Sequence, residues 1–325
     1  MIACALAASC TKNEVKGWEE QSRIAYNVVS SPVVQTKAAS AFPTTSTFMS
    51  SAFVLSSSQN WDADSASSTL KFGPEEVKYM GTYWSTVGKH YWKDGEKLTF
   101  FSYSPASLQA QGVTIRKEGV SVSGWDITPS GMGDQLILVA DVAKDKVKNE
   151  SFAGFTGVPT HFRQKLTKVS FSLAKSDLSD ADEEIYITKL SIGGYYTKGD
   201  YRKGGTSLEA WTNLSKPATE YVVFYGDADG HKLTSEPWIL DKVMIPQSLS
   251  SEAYLKISYR TVKGSTENAE GPVNLYFVKD FRSGIWSMGT HITYTLKVGA
   301  GMFPILFEAS STNWTFADGV GIEIE

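Results

Sequence analysis

Cysteine is almost missing from this sequence. Cys4 and Cys10 are the only two, both within the first ten residues, so a body folded beyond them holds together by apolar burial without a disulfide. Histidine is nearly as scarce. His90, His161, His231 and His291 stand about sixty residues or more apart, which excludes local H-x-H or H-E-x-x-H metal spacing. His161, placed just before a strand, is expected to have a hydrogen-bonded packing role. No glycine-rich phosphate loop and no nucleophile elbow occur, and none of the 35 acidic residues is flanked as a distinctive glycosidase carboxylate. No reaction is therefore assigned, and the chain is expected to be neither an enzyme nor a cofactor carrier. Positive charge is not in excess either: a formal net charge of −4 and a pI near 5.7 supply no basic field for nucleic acid or anionic lipid. Past the first ten residues no stretch approaches the ~20 apolar residues needed to span a bilayer, and none keeps a 3.6 period over three turns.

What the sequence does contain is aromatic and strand-forming. Fifteen Tyr, 16 Phe and 9 Trp stand among many Ser, Thr and Gly, a mixture that favours strands and turns. A length of 325 residues suggests two domains. The opening Met-Ile-Ala-Cys-Ala-Leu-Ala-Ala-Ser-Cys reads as the end of a lipoprotein signal peptide over residues 1–10, cut before Cys10, which becomes the lipidated first residue. A polar tether follows. In Ile24, Tyr26 and Val28 the larger apolar side chains then recur at every second position, the mark of a strand with one buried face. The Ser/Pro/Thr-rich stretch over residues 30–47 contains Gln35-Thr-Lys37-Ala38-Ala39, where a protease could bind an extended chain.

Short strand-like runs recur from Phe48 onward at the spacing of sandwiches, not of βαβ units. Period-two alternation is clear in Val169-Ser-Phe171-Ser-Leu173 and in Ile292-Thr-Tyr294-Thr-Leu296-Lys-Val298. A charged break over 144–150 is the expected seam between an N-terminal sandwich over 38–150, preceded by a tether and first strand over 11–37, and a C-terminal sandwich over 151–325. Asp227-Ala-Asp229-Gly230 and Asp177-Leu-Ser-Asp180-Ala-Asp182-Glu183-Glu184 gather oxygen ligands as calcium loops do. Neither completes the spacing with a distal Glu, so no metal site is assigned. Trp84 and Trp92, each preceded by a tyrosine, admit two readings, stacking on sugar rings or packing in a core.

Several segments together resemble one family. Tyr91-Trp92 with Leu98-Thr-Phe-Phe-Ser-Tyr-Ser-Pro105 is similar to the aromatic strand pair of the fimbrillin superfamily of Bacteroidales. Pro159-Thr-His161-Phe-Arg-Gln-Lys-Leu-Thr-Lys-Val169-Ser-Phe171 resembles the segment that opens its C-terminal domain. Met244-Ile-Pro-Gln247, Leu255-Lys-Ile-Ser-Tyr259, Ile285 to Leu296, and Ile305-Leu-Phe307 with Ser311-Thr-Asn-Trp314 follow in the family's order. The resemblance implies an all-β fold of two transthyretin-like, Greek-key β-sandwich domains in tandem. It also implies a structural subunit, or an accessory tip or anchor adhesin, of a bacterial fimbria. Such a protein is exported as a lipoprotein to the outer membrane at the cell surface, trimmed by a trypsin-like maturation protease, here between Lys37 and Ala38, and joined to other fimbrial subunits by strand exchange. Its further partner is a ligand on a host or bacterial cell surface. The alternative is a glycan-binding outer-membrane surface lipoprotein of a polysaccharide-uptake system.

Overall fold

A computed structural model of the chain describes residues 23–30, 42–148, 151–152, 155–206, 208–216, 220–226, 229–299 and 306–314. The fold is all-β, as expected. In its first half run β1 (Tyr26–Ser30), β2 (Phe48–Ser56), β3 (Thr69–Tyr79), β4 (Trp84–Thr86), β5 (Glu96–Ser104), β6 (Thr114–Arg116), β7 (Gly119–Asp126), β8 (Leu138–Ala140) and β9 (Ala143–Lys146). A small hairpin of β10 (Ser151–Phe152) and β11 (Phe155–Thr156) leads into β12 (Val158–Gln164). The second half begins with β13 (Thr167–Lys175), β14 (Glu183–Gly193), β15 (Lys198–Lys203), β16 (Ala210–Ser215), β17 (Tyr221–Tyr225) and β18 (His231–Lys232). It continues through β19 (Trp238–Met244), β20 (Gln247–Ser248), β21 (Tyr254–Lys263), β22 (Thr266–Tyr276), β23 (Ile285–Trp286), β24 (Thr290–Val298) and β25 (Leu306–Asn313). No helix among the described residues is long and apolar enough to cross a membrane.

The first sheet runs β2-β3-β4-β1-β12-β8-β5-β9, and because β2 also pairs with β5 the hydrogen bonding closes into a ring. The ring, with β9 outside it on β5, encloses a core of Ile24, Tyr26, Phe42, Phe48, Phe72, Val77, Trp84, Leu98, Phe100, Val158 and Phe162. β5 is buried on both faces: Leu98 and Phe100 face the ring's interior, while Phe101 and Tyr103 join the larger core beyond it. That double burial is why its sequence is an aromatic run with small hydroxyl residues between, instead of a polar alternation.

The second half builds two sheets face to face, β19-β13-β24-β25 and β17-β14-β21-β22. Val169, Phe171 and Leu173 of one and Ile185, Ile187, Leu190 and Ile192 of the other share a core, in which Phe277 meets Tyr294 at 4.9 Å between ring centroids. A third sheet, β16-β15-β7-β6, unites strands from both halves, with Tyr201 opposite Val122.

The expected seam over 144–150 does not separate these bodies. β12 lies beyond it yet sits within the first ring, and β15, itself paired with β16, pairs across it to β7. Ala143–Lys146 is itself a strand against β5, and the Asp145 carboxylate accepts the Trp61 N–H at 3.0 and 3.1 Å. The charges there belong to a paired strand, not a linker. β3 is continuous over Thr69–Tyr79 because Gly73, at φ +100°, lets the chain pass close to β2. A Cβ there would lie 2.5 Å from the Ser50 carbonyl oxygen.

Candidate functional site

The strand at the start of the described chain occupies an unusual position. β1 runs parallel to β12 over five pairs, from Tyr26 opposite Val158 to Ser30 opposite Phe162, but meets β4 at one pair only, Tyr26 with Trp84. Just ahead of it, Ile24 donates its N–H to the His90 carbonyl at 2.9 Å, the Ser85 hydroxyl donates to the Ile24 carbonyl at 3.1 Å, and the Val158 N–H donates to the Ala25 carbonyl at 2.8 Å. Arg23 donates to the Thr86 carbonyl at 3.1 Å, with its guanidinium 5.8 Å from the Tyr83 ring centre. Gly157 holds φ +116°, and a Cβ there would sit 3.0 Å from the Ala25 carbonyl oxygen, so the approach of β12 to this segment depends on glycine.

Its side chains alternate as the sequence predicts. Ile24 and Tyr26 are 1% and 3% exposed, and Val28 packs against the same core. The Tyr26 ring stands edge-on to Phe48 and Phe100, at 5.4 and 5.8 Å. Its hydroxyl donates to Ser50 Oγ at 3.0 Å. Ser50 also accepts from Ser102 at 2.9 Å and donates to the Phe101 carbonyl at 3.3 Å, so its donor and both lone pairs are used. Burial pushes the Tyr26 phenol well above its ordinary value. Beyond the undescribed stretch, Phe42 stacks on Phe162 at 5.0 Å and meets Trp84 edge-on at 5.4 Å. The site is thus a groove between β4 and β12, filled by a short strand of the protein's own.

Of the residues singled out from sequence, Cys10, Lys37 and Ala38 lie outside the described residues. Trp84, 7% exposed, belongs to the ring's core with Phe42, Phe48 and Tyr79 around it. Its packing leaves no ring face for a sugar. Trp92 is half-buried against Phe100 at 5.9 Å. His161 is exposed on β12 and does not have the expected packing role. Asp177 pairs with Lys297, Asp180 and Asp182 with Lys263, and Glu184 with Lys232, so these four carboxylates are divided among three lysines. Asp227 is outside the described residues; among the described residues no group of three His, Cys, Asp or Glu is arranged to hold a metal.

Sequence reasoning missed Ser50 and Ser102, whose signal is a hydroxyl inside runs that are otherwise apolar. It also missed a Ser170–Asp241–His291 cluster. Ser170 Oγ lies 2.5 Å from Asp241 and 2.7 Å from His291 Nε2. The serine sits between the other two, whereas a triad needs histidine between serine and carboxylate.

A third missed feature joins the ring to the sheet that unites both halves. Arg163 holds Asp141 through Nε and a terminal nitrogen at 2.8–3.0 Å, Lys203 lies 3.4 Å from both Asp141 and Glu209, and Lys165 lies 2.8 Å from Glu209. The Tyr201 hydroxyl donates to Glu209 at 2.5 Å. Burial raises both carboxyls, but hydrogen bonding from Arg163 with the Lys203 charge outweighs it at Asp141, and Lys165 with Tyr201 outweighs it at Glu209. Both end below their ordinary values. Lys165 moves the other way for its class, since burial and the Lys203 charge pull its ammonium down. It is 2% exposed against 26% for Glu209, so desolvation dominates on the lysine and pairing on the carboxylate.

The depressed carboxyls give stability that is complete above their unfolded values of 3.8 and 4.5 and is lost as pH falls through the lower folded values. The thermal midpoint is therefore expected to drop on acidification below about pH 4.5. The drop should be shallower in an Asp141→Asn, Glu209→Gln double variant; equal slopes would contradict the assignment.

Comparison with known proteins places this architecture. A fimbrial protein from Bacteroides vulgatus has the same fold, with a TM-score of 0.65 at 19% identity, covering 90% of this chain and 100% of that one. A candidate cell adhesion protein from Bacteroides uniformis follows with a TM-score of 0.54 at 17% identity, covering 90% and 99%. No curated protein matches the chain. The model of the fimbrillin-like family matches residues 51–314, which takes in every strand from β3 to β25, and the chain belongs to that fimbrillin-like family.

Proposed function

We propose that this protein is a structural subunit or an accessory tip or anchor adhesin of a bacterial fimbria, displayed at the cell surface and assembled by replacement of β1. Family membership supports the fimbrial role. The observation that carries the assembly step is the asymmetry of β1, which has a five-pair ladder on one side and a single pair on the other, with side chains seated in a groove that the rest of the ring builds. A cut between Lys37 and Ala38 by a trypsin-like protease separates β1 from Phe42 and all later strands. Loss of β1 then exposes the N–H and C=O groups of β12 and an apolar slot, and a strand from a neighbouring subunit satisfies both. Such donation runs head to tail and does not close, so it propagates a fibre.

In this reading Cys10 carries the lipid that holds the unprocessed protein on the outer membrane, and the released leader takes the lipid with it. A ligand on a host or bacterial surface is the partner of the finished fimbria. The glycan-uptake alternative drew on Trp84 and Trp92, and burial of Trp84 in the core weakens it. Incubating the full-length protein with trypsin is expected to give one early cut after Lys37, followed by filaments in electron micrographs, either alone or with a partner subunit. A protein cut there that neither forms filaments nor accepts a partner strand would contradict the proposal.

A further inference from the structure

The groove is apolar along most of its wall, but at its centre lies a polar spot. Ser50 and Ser102 stand directly opposite each other on β2 and β5, are 0% and 3% exposed, and point into the ring between Phe48, Ala52, Leu98 and Phe100. Ser102 donates to Ser50, and Ser50 donates onward to the Phe101 carbonyl, so the pair leaves one lone pair of Ser50 Oγ facing the groove. The Tyr26 hydroxyl now fills that position, at the end of a ring that just spans the space between two edge-on phenylalanines. An aliphatic side chain there would leave the acceptor dry and unpaired, and phenylalanine would fill the space without supplying the donor. Leaving a buried acceptor unmet costs more than the net value of the bond itself, and for this reason a site built to hydrogen-bond a hydroxyl discriminates against analogues lacking it.

We propose that the groove selects its incoming strand by this contact: the donor segment carries tyrosine at the place of Tyr26, flanked two residues away on each side by aliphatic side chains in the places of Ile24 and Val28. The inference rests on the strand-replacement reading and specifies the partner for it. Alternation at i, i+2 and i+4 follows from the pleat, because residues between these point away from the ring. Aliphatic ends alone fit many strands. The central tyrosine makes the groove specific.

The test uses the full-length protein with a specific protease site inserted after Lys37, cut after folding. It is challenged with a fluorescent peptide of residues 22–30 and with the same peptide carrying Tyr26→Phe. The tyrosine peptide is expected to bind on the order of tenfold more tightly than the phenylalanine peptide. In a Ser50→Ala protein the preference should vanish or reverse, because the phenol then lacks its acceptor. Equal binding of the two peptides to the parent protein overturns the inference and leaves strand replacement standing; failure of both to bind overturns the strand-replacement reading as well. If Ser50→Ala does not fold, the comparison of the two peptides on the parent protein decides alone.

Discussion

Replacing Tyr26 by alanine is expected to lower the unfolding free energy by about 3–5 kcal/mol, the range for truncating a large aromatic in a packed core. The side chain is 3% exposed, lies edge-on to Phe48 and Phe100, and ends on Ser50. Alanine leaves a cavity at the start of β1 and an unmet acceptor on Ser50. Tyr26→Phe isolates the second effect and is expected to cost on the order of 1 kcal/mol. Asn27→Ala serves as the control, because its neighbours Tyr26 and Val28 take the inward positions, and a change within about 0.5 kcal/mol is expected for it. Urea denaturation of the full-length chain measures all three. A Tyr26→Ala protein as stable as the parent would mean that β1 contributes little to the ring.

The second large effect lies at the ionic cluster. Glu209→Ala removes the carboxylate that Lys165, Lys203 and Tyr201 all contact, leaving Lys165 with 2% exposure and its nearest counter-charge gone. Breaking a buried pair from one side costs about 3–5 kcal/mol, mostly from the stranded charge. Removing both charges, as in Lys165→Met with Glu209→Leu, is therefore expected to recover most of the loss. Thermal unfolding of the single and double variants checks this. A double variant no better than Glu209→Ala would show that packing, not the buried ammonium, sets the cost.

Much of the fold was legible where one face of a strand is buried. Ile24, Tyr26 and Val28 announced β1, and Val169, Phe171 and Leu173 announced β13, because period-two alternation is the direct trace of the pleat. β15, by contrast, reads Lys-Gly-Asp-Tyr-Arg-Lys. Tyr201 is its one large inward residue, and its pairing with β7 comes from backbone bonding that leaves no mark in side-chain pattern. The expected seam over 144–150 failed for the same reason: a charged stretch signals solvent on one face, and says nothing of whether the backbone is paired.

The groove was legible as a strand but not as a site. Its hydroxyl floor comes from β2 and β5, and Ser50 and Ser102 meet only once those strands are in register. The same holds for the cluster of Asp141, Arg163, Lys165, Lys203 and Glu209, which spans nearly seventy residues of chain and carries no local spacing. Trp84 illustrates the converse. A tryptophan beside a tyrosine looks like a binding platform in sequence, and only the packing of Phe42 and Phe48 against it shows the interior role.

Amide hydrogen exchange tests most directly whether β1 is a replaceable strand. It is measured over Val158–Gln164 and Trp84–Thr86 in the intact protein, after cleavage at 37–38 with removal of the leader, and after adding back the peptide of residues 22–30. Slow exchange should give way to fast exchange in β12 when the leader departs, and return to slow when the peptide fills the groove. Exchange in β12 that stays slow after the leader has gone would show that the ring closes without β1, and would contradict assembly through this groove.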